Sequence, residues 1–338
     1  MSSNYNNSSR MREICAASLS GIGIVGAAEA RVVAGVAATG EPYYYWQRWA
    51  RPEYFHTDIQ TAHDQCQGGD NEVVFITPEI QYIGGATTSV KLTWSKNMTH
   101  LVGMYGPAMQ NMRSRITHVT TLPVMCEVSG YGNTLANLYF MYGVVAADIN
   151  AVLVSGNRNS FVNCHFLNQV ATALDDSTSQ IVSITGSESY FKNCTFGADS
   201  LAMSAGALVG FPGNAQSSYG PQRAVFENCI FLMNADANAP FFLKFGPSGL
   251  GTATLFFKGC SFINIGTSLT YAIDGSSMGT AVKLFLDNNT YFAGATDVIA
   301  ATYESNVWLA PANTPINQVT GGASVALFNA LGAHPDVS

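Results

Sequence analysis

The residues best suited to chemistry in this 338-residue chain are three aspartates, the adjacent pair Asp175-Asp176 and Asp148 upstream of it. Cleaving a glycosidic bond takes two carboxyl groups about 5–10 Å apart, one protonating the leaving oxygen and one attacking or activating water. Asp148 follows Leu138 by 10 residues and Asp175 follows Cys164 by 11, so a fold that sets Leu138 beside Cys164 brings the acids within that range. Against this, "ALDDSTSQ" is ordinary loop composition. The three aspartates are therefore minority candidates, and the favoured reading is not an enzyme.

Other reactive groups point away from a site. The histidines His56, His63, His100, His118, His165 and His334 are dispersed, with no H-E-x-x-H cluster. Alternation points His165 outward. Seven cysteines include no C-x-x-C pair, so neither a metal nor a cofactor is expected, and the odd count favours reduced thiols over disulfides. The charged fraction is 11%, under half the roughly 25% usual in soluble domains. Net charge is −7 and the nine arginines and six lysines form no run, which argues against nucleic acid as a partner.

Residues 14–39 carry a mildly apolar stretch behind Arg10 and Arg12, and Ala28-Glu29-Ala30 imitates a cleavage site. The stretch is mostly Ala, Gly and Ser, which reads as a packed small-residue segment. Glu29 and Arg31 interrupt it as a membrane span, so no membrane partner is expected.

What must position these groups is a repeat. "SFVNCHF", "YFKNCTF", "VFENCIF" and "FFKGCSF" recur as apolar-x-Asn-Cys-x-aromatic, with Gly259 for Asn in the fourth. Leu135 to Phe140 fits with Leu138 for Cys, and Leu286 to Tyr291 fits with Asn288 kept and Asn289 for Cys. The cysteine-equivalent positions then step by 26, 30, 35, 31 and 29 residues. A second strand-like run precedes each copy: "AVLVSG", "IVSITG", "GALVGF", "FFLKFG". Period-2 patterning and a repeat near 30, without a helical crossover, predict a parallel β-solenoid whose coils stack at about 4.8 Å. Asn137, Asn163, Asn193, Asn228 and Asn288 read as left-handed corners, with side chains free to bond from coil to coil. Cys164, Cys194, Cys229 and Cys260 read as a ladder of small buried thiols.

Further upstream, "TDIQTAHDQCQGGDNEVVFITPEIQYIGG" and "VKLTWSKNMTHLVGMYG" hold three marks. Ile59, Ala62 and Cys66 form one apolar helix face; Val73, Val74, Phe75 and Pro78 a strand signature; Asn97, Leu101 and Gly103 a turn. With the repeat, this resembles the pectate-lyase-like single-stranded right-handed parallel β-helix superfamily over residues 57–310. The resemblance implies an all-β right-handed parallel β-helix (solenoid) with a short N-terminal helical cap and an extended N-terminal arm. It leaves activity open, since the superfamily spans lyases, hydrolases, phage tailspikes and inert virion parts. The Asn-Thr-Asp, Gly-His-Gly and Arg-Ile-Lys groups of polygalacturonases are absent from this chain. So is the pectate lyase signature of calcium-binding aspartates with a catalytic Arg.

The strongest feature outside the repeat is "YYYWQRWARPEYF". Tyr43, Tyr44, Tyr45, Trp46, Trp49 and Tyr54 stand there beside Arg48 and Arg51, a composition typical of interface hot spots. The chain thus divides into an arm (1–56) for docking or oligomer contact, a capped β-helix (57–310) and a C-terminal closure (311–338). The expected role is a structural protein of a bacteriophage virion: a capsid decoration protein, head fibre or short spike, assembled in the host cytoplasm. The expected partners are two further copies in a homotrimer and virion proteins such as the major capsid protein. The alternative is a tailspike-type polysaccharide depolymerase or a glycan-binding adhesin on a host surface glycan.

Overall fold

The computed structural model describes residues 30–33, 55–56, 58–77, 80–83, 90–104, 114–120, 122–142, 150–168, 177–213, 220–246, 250–287, 289–309 and 314–315. Its strands form three sheets: a long one of twelve strands and a second and third of eight each. Each coil contributes one strand to each sheet in turn, and neighbouring coils pair in parallel throughout the shaft. The chain is therefore an all-β parallel solenoid.

Register follows from the aromatic positions of the repeat. On the long sheet Leu135, Phe161, Phe191, Phe226, Phe257 and Leu286 lie on successive rungs. On the second sheet Phe140, Phe166, Phe196, Phe231, Phe262 and Phe292 do the same. Both columns point inward and are buried, and the third sheet closes the core with Val152, Val182, Val209, Leu243 and Ile273. A one-residue slip would turn each column out to solvent, so burial fixes the register.

Two kinds of corner turn the chain. Between the long and second sheets, Asn137, Asn163, Asn193 and Asn228 have φ of 53–57° and Gly259 has φ 61°. Their N–H groups bond to the next coil, for example Asn163 N to Lys192 O at 2.9 Å. Coil-to-coil bonding by the side chains is sparser than the repeat suggests. Among the described residues it occurs once, from Asn163 Nδ2 to Asn137 Oδ1 at 3.3 Å, while the side chains of Asn193 and Asn228 face solvent. Asn288 lies outside the described residues.

The other corner, between the third and long sheets, carries a column the repeat motif did not announce. Gly130, Gly156 and Gly186 stack so closely that a Cβ on Gly156 would meet Gly130 O at 2.0 Å. Beside them runs a buried polar column: Asn133 Oδ1 accepts from Thr99 N at 2.9 Å and Asn159 Oδ1 from Asn133 N at 3.0 Å.

Both ends of the long sheet carry additional short strands. Ala30–Val33 pairs in parallel with Glu72–Ile76, and Phe55–His56 pairs with Ala30–Val33. Two pieces of the 1–56 segment are thus strands of the long sheet. They cover an edge that would otherwise offer unpaired backbone groups. The cap helix is Ile59–Gln65, started by Asp58, whose side chain accepts from Thr61 N at 2.8 Å. Ile59, Ala62 and Cys66 are buried as their spacing predicts. At the far end Thr314–Pro315 pairs antiparallel with Val307–Leu309.

Candidate functional site

Asp148, Asp175 and Asp176 lie outside the described residues, as do Tyr43, Tyr44, Tyr45, Trp46, Arg48, Trp49, Arg51 and Tyr54. The described residues show what flanks them. Ser177, next in the chain to Asp176, accepts a hydrogen bond at its carbonyl oxygen from Lys244 Nζ at 2.6 Å. Lys244 stands on the outer face of the third sheet, two coils along, with Asp274 Oδ2 of the following coil 3.9 Å away. On the coil between Ser177 and Lys244, Gly210 leaves room for Gln180, whose Oε1 lies only 1.7 Å from where a Cβ on Gly210 would be. Ser177 is therefore held against the outer face of the third sheet.

Elsewhere on the shaft, carboxylates are matched to cations on adjoining coils. Glu188 meets Arg158 and Arg223 at 2.5 Å each, and these neighbours hold its carboxyl below the usual range. Glu227 lies 3.2 Å from Lys192; the Tyr190 hydroxyl and Lys192 lower it likewise. Glu127 meets Lys91 at 2.5 Å and accepts from Ser155 Oγ at 3.1 Å. A carboxyl whose pKa is held down by cations is a poor general acid near neutral pH, where the ideal catalytic pKa lies close to the working pH. Arg158, Glu188 and Arg223 also occupy left-handed corners at φ 58–60°, where bulky side chains are rare. The Gly and polar residues of "SGNRNS" and "TGSESY" mark a turn, but not Arg158 or Glu188 as its left-handed residue.

The outer face of the long sheet carries Tyr190, Val225, Phe256, Phe285 and Trp308 on successive rungs. Phe256 and Phe285 stack at 5.0 Å, and Lys283 Nζ lies 5.8 Å from the Trp308 ring. Beside this column Lys192, Glu227 and Lys258 alternate in sign.

His63, His118 and His165 are held in structural contacts, while His334 lies outside the described residues. His63 Nε2 accepts from Lys96 N at 3.2 Å and its ring lies 4.3 Å from Trp94. His118 packs on Tyr142 at 4.1 Å. His165 stands on the outward side of its strand, as alternation requires, yet it is only 2% exposed because it stacks on Tyr139 and bonds Gly197 O at 2.9 Å. Burial lowers the pKa of each of these three. Among the described residues no group of three or more His, Cys, Asp or Glu is placed to hold a metal.

Cys164, Cys194, Cys229 and Cys260 are free, buried and stacked. Each thiol points at a carbonyl of the preceding coil, as Cys229 Sγ does at Phe191 O, 3.5 Å away, and burial pushes the pKa of Cys194 and Cys229 far up. The structure corrects the alignment of the last copy. Phe292, not Tyr291, pairs with Phe262, because one extra residue is accommodated at the corner. Thr290 takes the cysteine place, fully buried, with Oγ1 donating to Phe257 O at 3.3 Å. The position thus selects a small side chain with a donor. Cys229→Thr is expected to cost under about 1 kcal/mol, whereas Cys229→Leu overpacks the column and costs about 1–3 kcal/mol. Urea midpoints of the two variants check this.

"GSSMG" (275–279) matches the G-x-S-x-G pattern of serine hydrolases. That pattern works on a strand-to-helix elbow, but here it joins the strands Leu269–Asp274 and Met278–Leu286. The context for a nucleophile is missing.

Comparison with solved structures bears on the fold. The pectate lyase Pel9A matches with a TM-score of 0.51 at 11% identity, covering 85% of this chain and 75% of that one. A pectin methylesterase from Aspergillus niger matches at 0.44 and 13%, covering 84% and 80%. ORF18 of Geobacillus virus E2 matches at 0.42 and 14%, covering 71% of this chain and 50% of that one. No protein-family model and no curated protein matches the chain. The fold is that of the pectate-lyase-like parallel β-helix, and at these identities the likeness is one of fold alone.

Proposed function

We propose that the chain is a non-enzymatic structural protein of a bacteriophage virion, a capsid decoration protein, head fibre or short spike, held as a homotrimer against another virion protein such as the major capsid protein. The observation that carries this reading is that Glu188 and Glu227 are engaged by cations of adjoining coils and held below the usual carboxylate range, which makes them poor general acids. Topology supports a docking role for the aromatic cluster. Ala30–Val33 and Phe55–His56 are neighbouring parallel strands, so the connection between them, with Trp46, Arg48, Trp49 and Arg51, starts and ends at the first coils of the shaft. Arg and aromatic side chains together dominate interface energies.

Replacing Trp46, Arg48, Trp49 and Arg51 by alanine is expected to leave a folded shaft that no longer enters particles. Unchanged incorporation of that variant into purified virions would sink the docking role.

A second reading, a polysaccharide depolymerase or glycan binder, is favoured by one observation. The Ser177–Lys244 bond holds Ser177, next in the chain to Asp176, against the third sheet, where Asp274 also stands. If the chain cleaves capsular polysaccharide and Asp176→Ala abolishes the cleavage, the structural reading falls.

A further inference from the structure

The outer face of the long sheet is patterned along both of its flanks. Its middle is the outward column Tyr190, Val225, Phe256, Phe285 and Trp308, half-buried side chains on successive coils. The flanks are the residues two places before and two places after each of these. On the coil of Tyr190 they are Glu188 and Lys192; on that of Val225, Arg223 and Glu227; on that of Phe285, Lys283 and Asp287. On the coil of Phe256 they are Thr254 and Lys258, and on that of Ser160, one coil before Tyr190, Arg158 and Val162. Wherever both flanks of one of these coils are charged, they carry opposite signs.

These charges pair within the chain along each flank, Glu188 with Arg158 and Arg223 and Glu227 with Lys192, yet their heads reach solvent. The side chains of Arg223 and Lys192 are 63% and 41% exposed, and those of Glu188 and Glu227 are 28% and 30% exposed. Both flanks are therefore open to a second surface.

We propose that copies of this chain associate in parallel through this face, one flank of each copy meeting the other flank of the next at the same level of the shaft. Glu188 then faces Lys192 of the next copy, Arg223 faces Glu227, and Lys283 faces Asp287. Coils stand about 4.8 Å apart, so a slip of one coil is the nearest competing arrangement. A slip one way sets Glu188 against Glu227 and Arg223 against Lys258. A slip the other way sets Arg223 against Lys192 and Lys283 against Lys258. Both oppose like charges, so the pattern selects the level contact over its neighbours. A level contact between two different flanks has no rise along the shaft, so it closes into a ring of copies and not a filament. The aromatic column then lies toward the axis of the ring and supplies the apolar centre of the contact. The proposal rests on the trimeric reading above and names the face that lies at the trimer's axis.

The experiment is sedimentation equilibrium of the full-length chain over a range of concentrations, at low and at high salt. The expected result is a trimer whose association weakens at high salt, because the paired charges are solvent-exposed and screened. Lys192→Glu with Glu227→Lys reverses one flank while leaving opposite charges at the two places that now lie 3.2 Å apart. It is expected to weaken association about tenfold or more, since Glu188 then faces a carboxylate and Arg223 a cation. Glu188→Lys with Arg223→Glu reverses the other flank and should weaken it similarly, which keeps the test open if the first variant misfolds. All four substitutions together should restore association, a rescue that damage to the fold would not produce. A trimer unmoved by salt and by either pair of substitutions overturns this contact and leaves the trimeric reading standing. So does a folded four-residue variant that associates no better than the pairs. A chain that stays monomeric at every concentration overturns both.

Discussion

Phe191→Ala is expected to lower the free energy of unfolding by about 3–5 kcal/mol, a large share of the roughly 5–15 kcal/mol that holds a typical domain together. Phe191 is 0% exposed. Its ring stacks on Phe161 and Phe226 at 4.8 Å each, nearly parallel, and meets Phe196 at 5.7 Å from the facing column. Truncation removes the transfer term and leaves a cavity between two rungs held apart by their own backbone bonds, so the site cannot collapse to refill it. Stacked pairs add about 0.5–1.5 kcal/mol beyond burial, and here two are lost at once. In a solenoid each coil touches only its neighbours, so the damage also weakens the coupling between the halves of the shaft. Tyr190→Ala, one residue away on the outer face, is the control and should cost far less. Denaturant midpoints decide: a loss under about 1 kcal/mol for Phe191→Ala would mean that the aromatic columns do not carry the core.

Much of this architecture was legible in the residues, for a physical reason. A solenoid repeats its local environment every coil, so one requirement appears several times and becomes visible as a motif. The inward Phe of "YFKNCTF" and the left-handed Asn after it are such requirements, and both recur at each level. The last copy was misaligned because Asn288 and Asn289 imitate the motif, while the buried donor at the cysteine place is Thr290, which shares chemistry with Cys but not its letter. The turn at Arg158, Glu188 and Arg223 shows in its Gly and polar neighbours, but the left-handed residue does not, because these side chains adopt that conformation against their own preference. Candidate sites are harder for the same reason that folds are easier. Asp148, Asp175 and Asp176 stand on connections that do not repeat, so no periodicity constrains where they point. His165 shows the limit of alternation, which gives the side of the strand but not what covers it.

Acid is expected to destabilise this protein well before its carboxylates titrate. Burial lowers the pKa of His63, His100, His118 and His165, and that of His100 falls to about 4. His100 is 4% exposed, with Nδ1 accepting from Thr134 N at 3.0 Å and Nε2 lying 3.3 Å from Asn71 Oδ1. That arrangement suits the neutral ring with its proton on Nε2; a proton on Nδ1 would set it against the Thr134 N–H. The unfolded chain binds the proton at the ordinary value of 6.5 and the folded chain only near 4. The stabilisation is therefore complete above pH 6.5 and is lost progressively as the pH falls through 4. At about 1.36 kcal/mol per pH unit this single ring accounts for about 3 kcal/mol of loss across the window. The other three buried rings act in the same direction, and Glu188 and Glu227, whose carboxyls are also lowered, extend the decline at still lower pH. Unfolding free energies measured in steps from neutral pH to about pH 4 should fall steadily. His100→Gln, which can keep an acceptor for Thr134 N without a titrating ring, should flatten that slope while leaving stability at neutral pH within about 1–2 kcal/mol. A flat profile in the parent chain, or an unchanged slope in His100→Gln, would show that the buried rings do not set its acid limit.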